Sequence, residues 1–340
     1  MDGMNEIEFI AEVGQNHQGD VECAIRYVET FAQLGASTVK FQVRDNRYLF
    51  DDSRFNLPYD STNAFGSTYG EHREALELTI DELSRVSKAC KQNNVRFCCT
   101  PFDPKSLERL MKLEIDSLKV SSFDLGNINF LKQIGATKKP TIISTGGGSH
   151  KHIVASVEAL DCGQEISILH CTSEYPCPAD RVGLEAIQVL KQDFPGRRVG
   201  LSDHFNGTLT GPLGRLMGAE VFEKHVTFDR SQKGSDHKFS LEPTGFKKFV
   251  RDTVRAGKML QRTDKEGIGE EPVFERLGKS CVARRDIKRG DVLRIDDIDG
   301  RIFASQIIPI RNCMDLVGRI AVIDFSEGQP FTLEGISDGG

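Results

Sequence analysis

The chain has 340 residues, 38% of them hydrophobic and 28% charged, with a formal net charge of −6; that is room for one large domain and a small one. An acidic balance without basic runs argues against nucleic acid or an anionic membrane surface as a partner. No apolar run approaches the ~20 residues of a membrane-spanning helix, and MDGMNEIEFIAEVG lacks the basic segment and apolar core of a secretory signal, so the expectation is a cytoplasmic protein.

In chain order, Ile7–Val13 is the first apolar run of strand length. Asp20–Gly35 follows as a helix: Asp20 caps it, Val21, Ala24, Ile25, Val28 and Ala32 form one apolar stripe, and Gly35 stops it. Thr38–Gln42 reads as the second strand. The gap from Gln42 to Val95 is too long for one helix. RYLFDDSRFNLPYDSTNAFGSTYGEHREAL reads as an irregular insertion, a candidate substrate loop, ahead of a helix over Ile80–Asn93. Strands Val95–Pro101, Ser117–Ser122, Thr141–Gly146, Ile166–Thr172, Arg198–His204 and Val221–Thr227 then alternate with helices. The helices are Pro104–Leu113, a shorter Asn127–Ile134, His152–Leu160, Gly183–Asp193, Thr208–Gly218 and finally Thr244–Gln261.

Eight strand–helix units predict an α/β fold of the (β/α)8 TIM-barrel class, for which about 250 residues is typical. A doubly wound sheet is the alternative, but VGQNHQG after the first strand lacks the GxGxxG spacing. The barrel domain is placed at 1–262. RTDKEGIGEEPVFERLGKS reads as a linker over 263–279, and 280–340 as a small, mostly β domain with RGD and EGQ turns. Nine cysteines without CxxC or zinc-like spacing fit a reducing compartment and no disulfides.

Barrel chemistry sits at the C-terminal ends of the strands. Those ends supply Glu12, Lys40, Gln42, Thr100, Lys119, Ser122, Ser144, Ser173 with Tyr175, Ser202 and His204, and His225, with Asp236 in the loop after the eighth strand. Lysines within strands are costly unless they meet an anion, so two ammonium groups among hydroxyls describe a phosphate or carboxylate site. STGGGSH adds a glycine turn whose N–H groups can hold an oxyanion. LSDH and EKHVTF each end an apolar run on a histidine, and adjacent parallel strands would set the two imidazoles side by side, as a metal site needs. Each feature has an ordinary reading beside it: a hydrogen-bonded strand-end histidine, a strand-edge lysine, a plain turn. His17 reads as a loop residue, and Cys171 and Cys177 as core or loop thiols.

AEVGQNHQGD, VKFQ, CTPFD, LKVSS, ISTGG, LHCTSEYP, GLSDH, EKHVTFDR and GSDHKFSLEP, in this order over nearly the whole chain, resemble the sialic acid synthase family, whose enzymes make nonulosonic acids. The C-terminal stretch is similar to that family's antifreeze-like (SAF) domain. The resemblance implies a barrel followed by a SAF domain, in a domain-swapped homodimer where each SAF domain covers the partner's barrel mouth. It implies metal-dependent condensation of phosphoenolpyruvate with the open-chain aldehyde of an N-acylated hexosamine, releasing phosphate. By the same resemblance His204 and His225 hold the divalent metal, manganese or magnesium, and Glu12 and Asp236 are catalytic. Lys40, Asn63, Thr100, Lys119, Ser122, Ser144 and Ser202 bind phosphoenolpyruvate. Gln42, Ser173, Tyr175 and Asp236 contact the sugar, as does Arg301 from the SAF domain.

Two departures bear on the acceptor. Family members acting on N-acetylmannosamine often carry asparagine where this chain has Ser173, and many have an Arg-Pro-Gly stretch in the SAF domain. Here Ile302 stands where that arginine is expected and Arg301 is one position off. The acceptor therefore stays open among N-acetylmannosamine, legionaminate-type, pseudaminate-type and more divergent sugars. A synthase of the same mechanism using a phosphorylated aldose, and a non-catalytic sugar-binding barrel, are the competing readings.

Overall fold

A computed structural model describes residues 7–260 and 271–338. The chain divides into two compact units, Met1–Gln261 and Arg262–Gly340.

The first unit is an eight-stranded closed barrel. Strands β1 (Glu8–Gly14), β2 (Thr38–Val43), β3 (Arg96–Pro101), β4 (Ser117–Val120), β5 (Thr141–Ser144), β6 (Ile166–Cys171), β7 (Arg198–Asp203) and β8 (Val221–His225) pair in sequence order, and β8 closes on β1. All pairings are parallel. Period-two alternation sorts each strand into two faces. Phe9, Ala11, Val13, Val39, Phe41 and Phe222 face the helices and belong to the main apolar core. Ile10, Cys98, Ile142, Leu169 and Val221 form a separate plug inside the barrel. At the N-terminal end Glu8 closes the interior, ion-paired to Arg96 at 2.6 Å and to Arg198 at 2.9 Å. Gly200 has no space for a side chain, since a Cβ would lie 1.9 Å from the Val221 carbonyl.

The helices begin where the local chemistry says they should. Asp20 accepts hydrogen bonds from the backbone N–H of Glu22 and Cys23 and starts Val21–Gln33. Thr79 and Glu82 form a capping box at the head of Ile80–Gln92. The expected helix over Gly183–Asp193 is shorter, Ala186–Asp193, with a 3-10 turn at Ala179–Arg181 ahead of it. The insertion after β2 is more ordered than its sequence pattern indicates. It holds short helices Asn46–Leu49, Asp52–Phe55 and Tyr69–Glu74, capped by Asp45, Asp51 and Thr68.

Of the segment read as a linker, 263–270 lies outside the described residues, as does Gln261 at the end of the last expected barrel helix. Pro272–Leu277 is a helical turn with proline at its first position. In the second unit β9 (Lys279–Ala283) pairs antiparallel with β10 (Ile298–Ile302), and β11 (Ile320–Ala321) with β12 (Ile336–Ser337). Its own core is built from Cys281, Ile287, Leu293, Leu316, Phe325 and Phe331. Among the described residues no helix is long and apolar enough to cross a membrane. The nine cysteines are free thiols.

Candidate active site

A cavity of about 360 Å³ opens at the C-terminal ends of the strands, the end of a barrel where loop and strand residues converge. Its floor is a row of four buried charges of alternating sign. Lys40 Nζ lies 2.7 Å from Glu12 Oε2 and 3.5 Å from Glu223 Oε1, and Lys119 Nζ lies 3.7 Å from Glu223 Oε2. Hydroxyls and an amide complete the row. Lys40 donates to Thr100 Oγ1 at 3.3 Å, Lys119 to Ser144 Oγ at 2.6 Å, Ser202 to Glu223 Oε1 at 3.2 Å, and Gln42 Nε2 to Glu12 Oε1 at 2.6 Å. Strand register assembles these groups: Glu12 stands opposite Lys40, Gln42 opposite Thr100, and Ser202 opposite Glu223.

Burial and neighbours push the two carboxyls apart. Burial raises Glu12, and the Glu223 charge adds to it against the opposing pull of Lys40. Glu223 resists the same burial because Lys119 and Lys40 flank it, and it is held down at about 2. Burial lowers Lys119 against the pull of Glu223. Burial also opposes the Lys40 ammonium, but Glu12 and Glu223 outweigh it and raise its pKa. One carboxyl that takes a proton readily beside one that stays ionised is the pattern of an acid–base site.

Beside this row stand the imidazoles of His204 and His225, with ring centroids 5.6 Å apart. His225 is in register with Glu12 on β1. His204 Nδ1 is 2.9 Å from the Thr172 carbonyl, which only accepts, so Nδ1 carries a proton; burial opposes a second proton, but Cys171 and that carbonyl raise the ring's pKa above the ordinary value. Burial pushes His225 down to about 3, so its ring is neutral, and its buried Nδ1 has no hydrogen-bond partner. The Asp236 carboxylate is 3.8 Å from that nitrogen. The Tyr175 ring covers His204 at a centroid distance of 4.1 Å. Among the described residues no group of three or more His, Cys, Asp or Glu side chains converges as a ready-made metal site. Two imidazoles, one held by a carbonyl and one with an orphaned buried nitrogen, nevertheless fit a divalent ion, which they would hold as two of its ligands.

Of the residues singled out from the sequence, Glu12, Lys40, Gln42, Thr100, Lys119 and Ser122 line this one cavity, as do Ser144, Tyr175, Ser202, His204, His225 and Asp236. Asn63 and Ser173 are not among its lining. Asn63 Oδ1 instead accepts from the Gly234 N–H at 3.1 Å and steadies the loop that carries Asp236. Ser173 is exposed. Arg301 lies on β10 in the second unit, opposite Ser280. The glycine turn is committed locally, with the Gly146 N–H donating to Ser122 Oγ at 3.1 Å. Cys171 lines the cavity with Sγ 3.9 Å from His204 Nδ1. Burial opposes its thiolate, but His204 and Ser122 bring it to about 7. His17 is buried and accepts from the Gly19 N–H through Nδ1. Glu223, Arg44 and Arg73 also line the cavity and were not singled out. Glu223 was within reach, since it is two residues before His225 and therefore on the same face of its strand.

Residues 27–265 match the model of the NeuB family. The chain is 33% identical over 353 aligned positions to an N-acetylneuraminate-9-phosphate synthase of Drosophila melanogaster, covering 96% of this chain and 95% of that protein. It is 32% identical to an N,N'-diacetyllegionaminic acid synthase of Campylobacter jejuni, covering 96% and 99%. The crystal structure of an N-acetylneuraminic acid synthetase from Leptospira borgpetersenii, in complex with citrate, superposes with a TM-score of 0.69 at 29% identity, covering 81% of this chain and 95% of that one. By sequence and by fold, this chain belongs to the NeuB family of sialic and other nonulosonic acid synthases.

Proposed function

We propose that the protein condenses phosphoenolpyruvate with the open-chain aldehyde of an N-acylated hexosamine, forming a nonulosonic acid and releasing inorganic phosphate. The observation that carries this reading is the alternating row Glu12–Lys40–Glu223–Lys119 next to paired imidazoles in one cavity. A compact trianion needs cations and hydroxyls around it. Lys40, Lys119, Thr100, Ser122, Ser144 and Ser202 supply them, with the Glu12 and Glu223 carboxylates ion-paired to the two ammonium groups. His204 and His225 would hold a divalent ion, manganese or magnesium, whose chemistry is Lewis-acid polarisation of the aldehyde.

The bond changes set what the side chains must do. C3 of the enol forms a C–C bond to the aldehyde carbon, and the aldehyde oxygen gains a proton. C2, left electron-poor, takes a water oxygen; one water proton balances the one gained by the aldehyde oxygen, and the other leaves with the phosphate as its bond to C2 breaks and the ketone forms. Glu12, raised by burial and tied to Gln42 and Lys40, is the group that moves a proton. Glu223, ionised throughout, stabilises positive charge near C2. Gln42, Tyr175 and Asp236 orient the acceptor.

The same reading takes the second unit as the antifreeze-like SAF domain and the enzyme as a domain-swapped homodimer, in which Arg301 reaches the partner's acceptor; a monomer by light scattering at working concentration would remove that part. The names of the relatives divide between a 9-phosphate product and products named without one, so the acceptor is the open variable. The test is purified protein with manganese, phosphoenolpyruvate and a panel of hexosamine aldehydes, read by phosphate release and mass spectrometry of the product. Folded protein that releases phosphate with no sugar in the panel would overturn the reading.

A further inference from the structure

A second cationic group sits just past the end of the strand that carries Lys40. Lys40, Gln42 and Arg44 are at alternate positions and all line the cavity, as residues on one face of a strand do. At the usual rise per residue, Arg44 stands roughly 13 Å beyond Lys40 along the chain direction. Its guanidinium is held on several sides. Nη2 donates to Gln42 Oε1 at 2.5 Å, the plane lies 3.8 Å over the Phe102 ring, and Glu77 Oε1 is 3.5 Å from Nη1. Arg44 is 7% exposed, yet Nη1 has no hydrogen-bond partner.

Arg73, on the short helix Tyr69–Glu74, lines the same cavity, and its Nε is likewise buried and unpartnered. After burial, the nearness of Arg73 is the largest influence drawing Arg44 down, to about 10. Two guanidiniums that repel each other, each with an unused buried N–H, cost stability unless an anion completes them. The nearby carboxylates do so only in part: Glu77 is ion-paired to Arg44 at 3.5 Å but leaves Nη1 without a hydrogen bond. Glu77 already accepts from the Arg44 backbone N–H at 3.1 Å and from Gln15 Nε2 at 3.2 Å. Asp236 accepts from Ser235 at 2.6 Å and faces His225.

We propose that Arg44 and Arg73 form an anion subsite at the outer end of the cavity, and that the acceptor carries a phosphate ester on the carbon farthest from its aldehyde. The proposal rests on the synthase reading above. His225 shares the register level of Glu12 and Lys40, so an aldehyde placed at the imidazoles directs the rest of an open-chain hexose outward, past Gln42, towards the two arginines. The phosphate of phosphoenolpyruvate belongs to the deeper lysine pair.

The test compares an N-acetylhexosamine with its terminal phosphate ester on the full-length protein. The ester is expected to be preferred by about tenfold or more in kcat/KM. Arg73→Gln and Arg44→Gln should erase that preference by raising KM for the ester, with KM for phosphoenolpyruvate unchanged, and Arg73→Lys should recover part of it. Equal use of both acceptors, or a rise in KM for phosphoenolpyruvate instead, overturns the subsite while the synthase reading stands. Calorimetric binding of the phosphorylated sugar, without phosphoenolpyruvate, decides the matter even if no acceptor turns over. Binding weakened in folded Arg73→Gln supports the subsite; binding that is absent in the parent protein or unchanged in the variant removes it.

Discussion

Lys224→Met tests how the two imidazoles are held in place. Asp203 and Lys224 stand opposite each other on β7 and β8, each one residue before an imidazole and on the opposite face of its strand. Lys224 is 1% exposed, and its Nζ is 2.6 Å from Asp203 Oδ2. It also donates to the Phe205 carbonyl, while Asp203 accepts from the Phe205 N–H at 2.9 Å and from the Thr210 hydroxyl. The pair therefore ties β7, β8 and the loop after His204 into one piece. Removing the ammonium strands a buried carboxylate, which costs about 3–5 kcal/mol and lowers the melting temperature by roughly 10 °C. Asp203→Asn strands the ammonium and costs a similar amount. The double variant Asp203→Asn/Lys224→Met strands neither charge, so it should lie well above the sum of the two losses. Chemical denaturation followed by circular dichroism gives the cycle, and manganese titration should show affinity weakened by about tenfold or more in the single variants. A Lys224→Met loss under about 1 kcal/mol, or a strictly additive double variant, would refute the claim that the pair is a coupled buried unit.

The barrel was legible because parallel strands buried on both faces read as nearly unbroken apolar runs. All eight observed strands fall on the eight runs, with ends differing by one or two residues, as at β4, which stops at Val120 rather than Ser122. The insertion was not legible for a physical reason. Its helices are four to six residues long, too short to display a period. They are held by caps and by a ring cluster, with Tyr59 and Tyr69 at 5.5 Å and Tyr59 and His72 at 4.6 Å. That Asn63 turns to the Gly234 N–H was not legible for the same reason: without a period there is no register to say which way a loop residue turns. Glu223 shares a strand face with His225 by its two-residue spacing, but its burial was not legible. A glutamate in a strand reads as a solvent-facing residue, and only Lys40 from β2 and Lys119 from β4 make its burial tolerable. That compensation is set by barrel closure and not by neighbours in sequence. The orphaned guanidinium nitrogens of Arg44 and Arg73 are likewise a property of packing, which no local pattern records.

Three further outcomes follow from the same geometry. His204→Ala and His225→Ala should each weaken manganese binding by about tenfold or more and lower turnover with it; unchanged manganese titration in both variants would remove the metal assignment. Glu223→Gln should lower kcat by about a hundredfold without raising KM for phosphoenolpyruvate, because the charge removed repels that anion; a raised KM with unchanged kcat would make Glu223 a binding group only. The third outcome is in stability against pH. His17 is buried with Nδ1 accepting from the Gly19 N–H, and burial pushes it from 6.5 to about 4. Its folded pKa lies below its unfolded one, so as pH falls the unfolded chain takes up the proton first. The stability it supports is complete above about pH 6.5 and is lost as pH falls from there towards 4, by roughly 3 kcal/mol. His17→Gln keeps a side chain able to accept from Gly19 and cannot titrate. The acid-side slope of unfolding free energy should therefore be shallower in the variant than in the parent. His225, depressed to about 3, contributes equally to both proteins and cancels in the difference. Identical slopes would mean that the His17 ring is protonated in the folded protein, and hence that its buried, acceptor-only contact with Gly19 is not its state in solution.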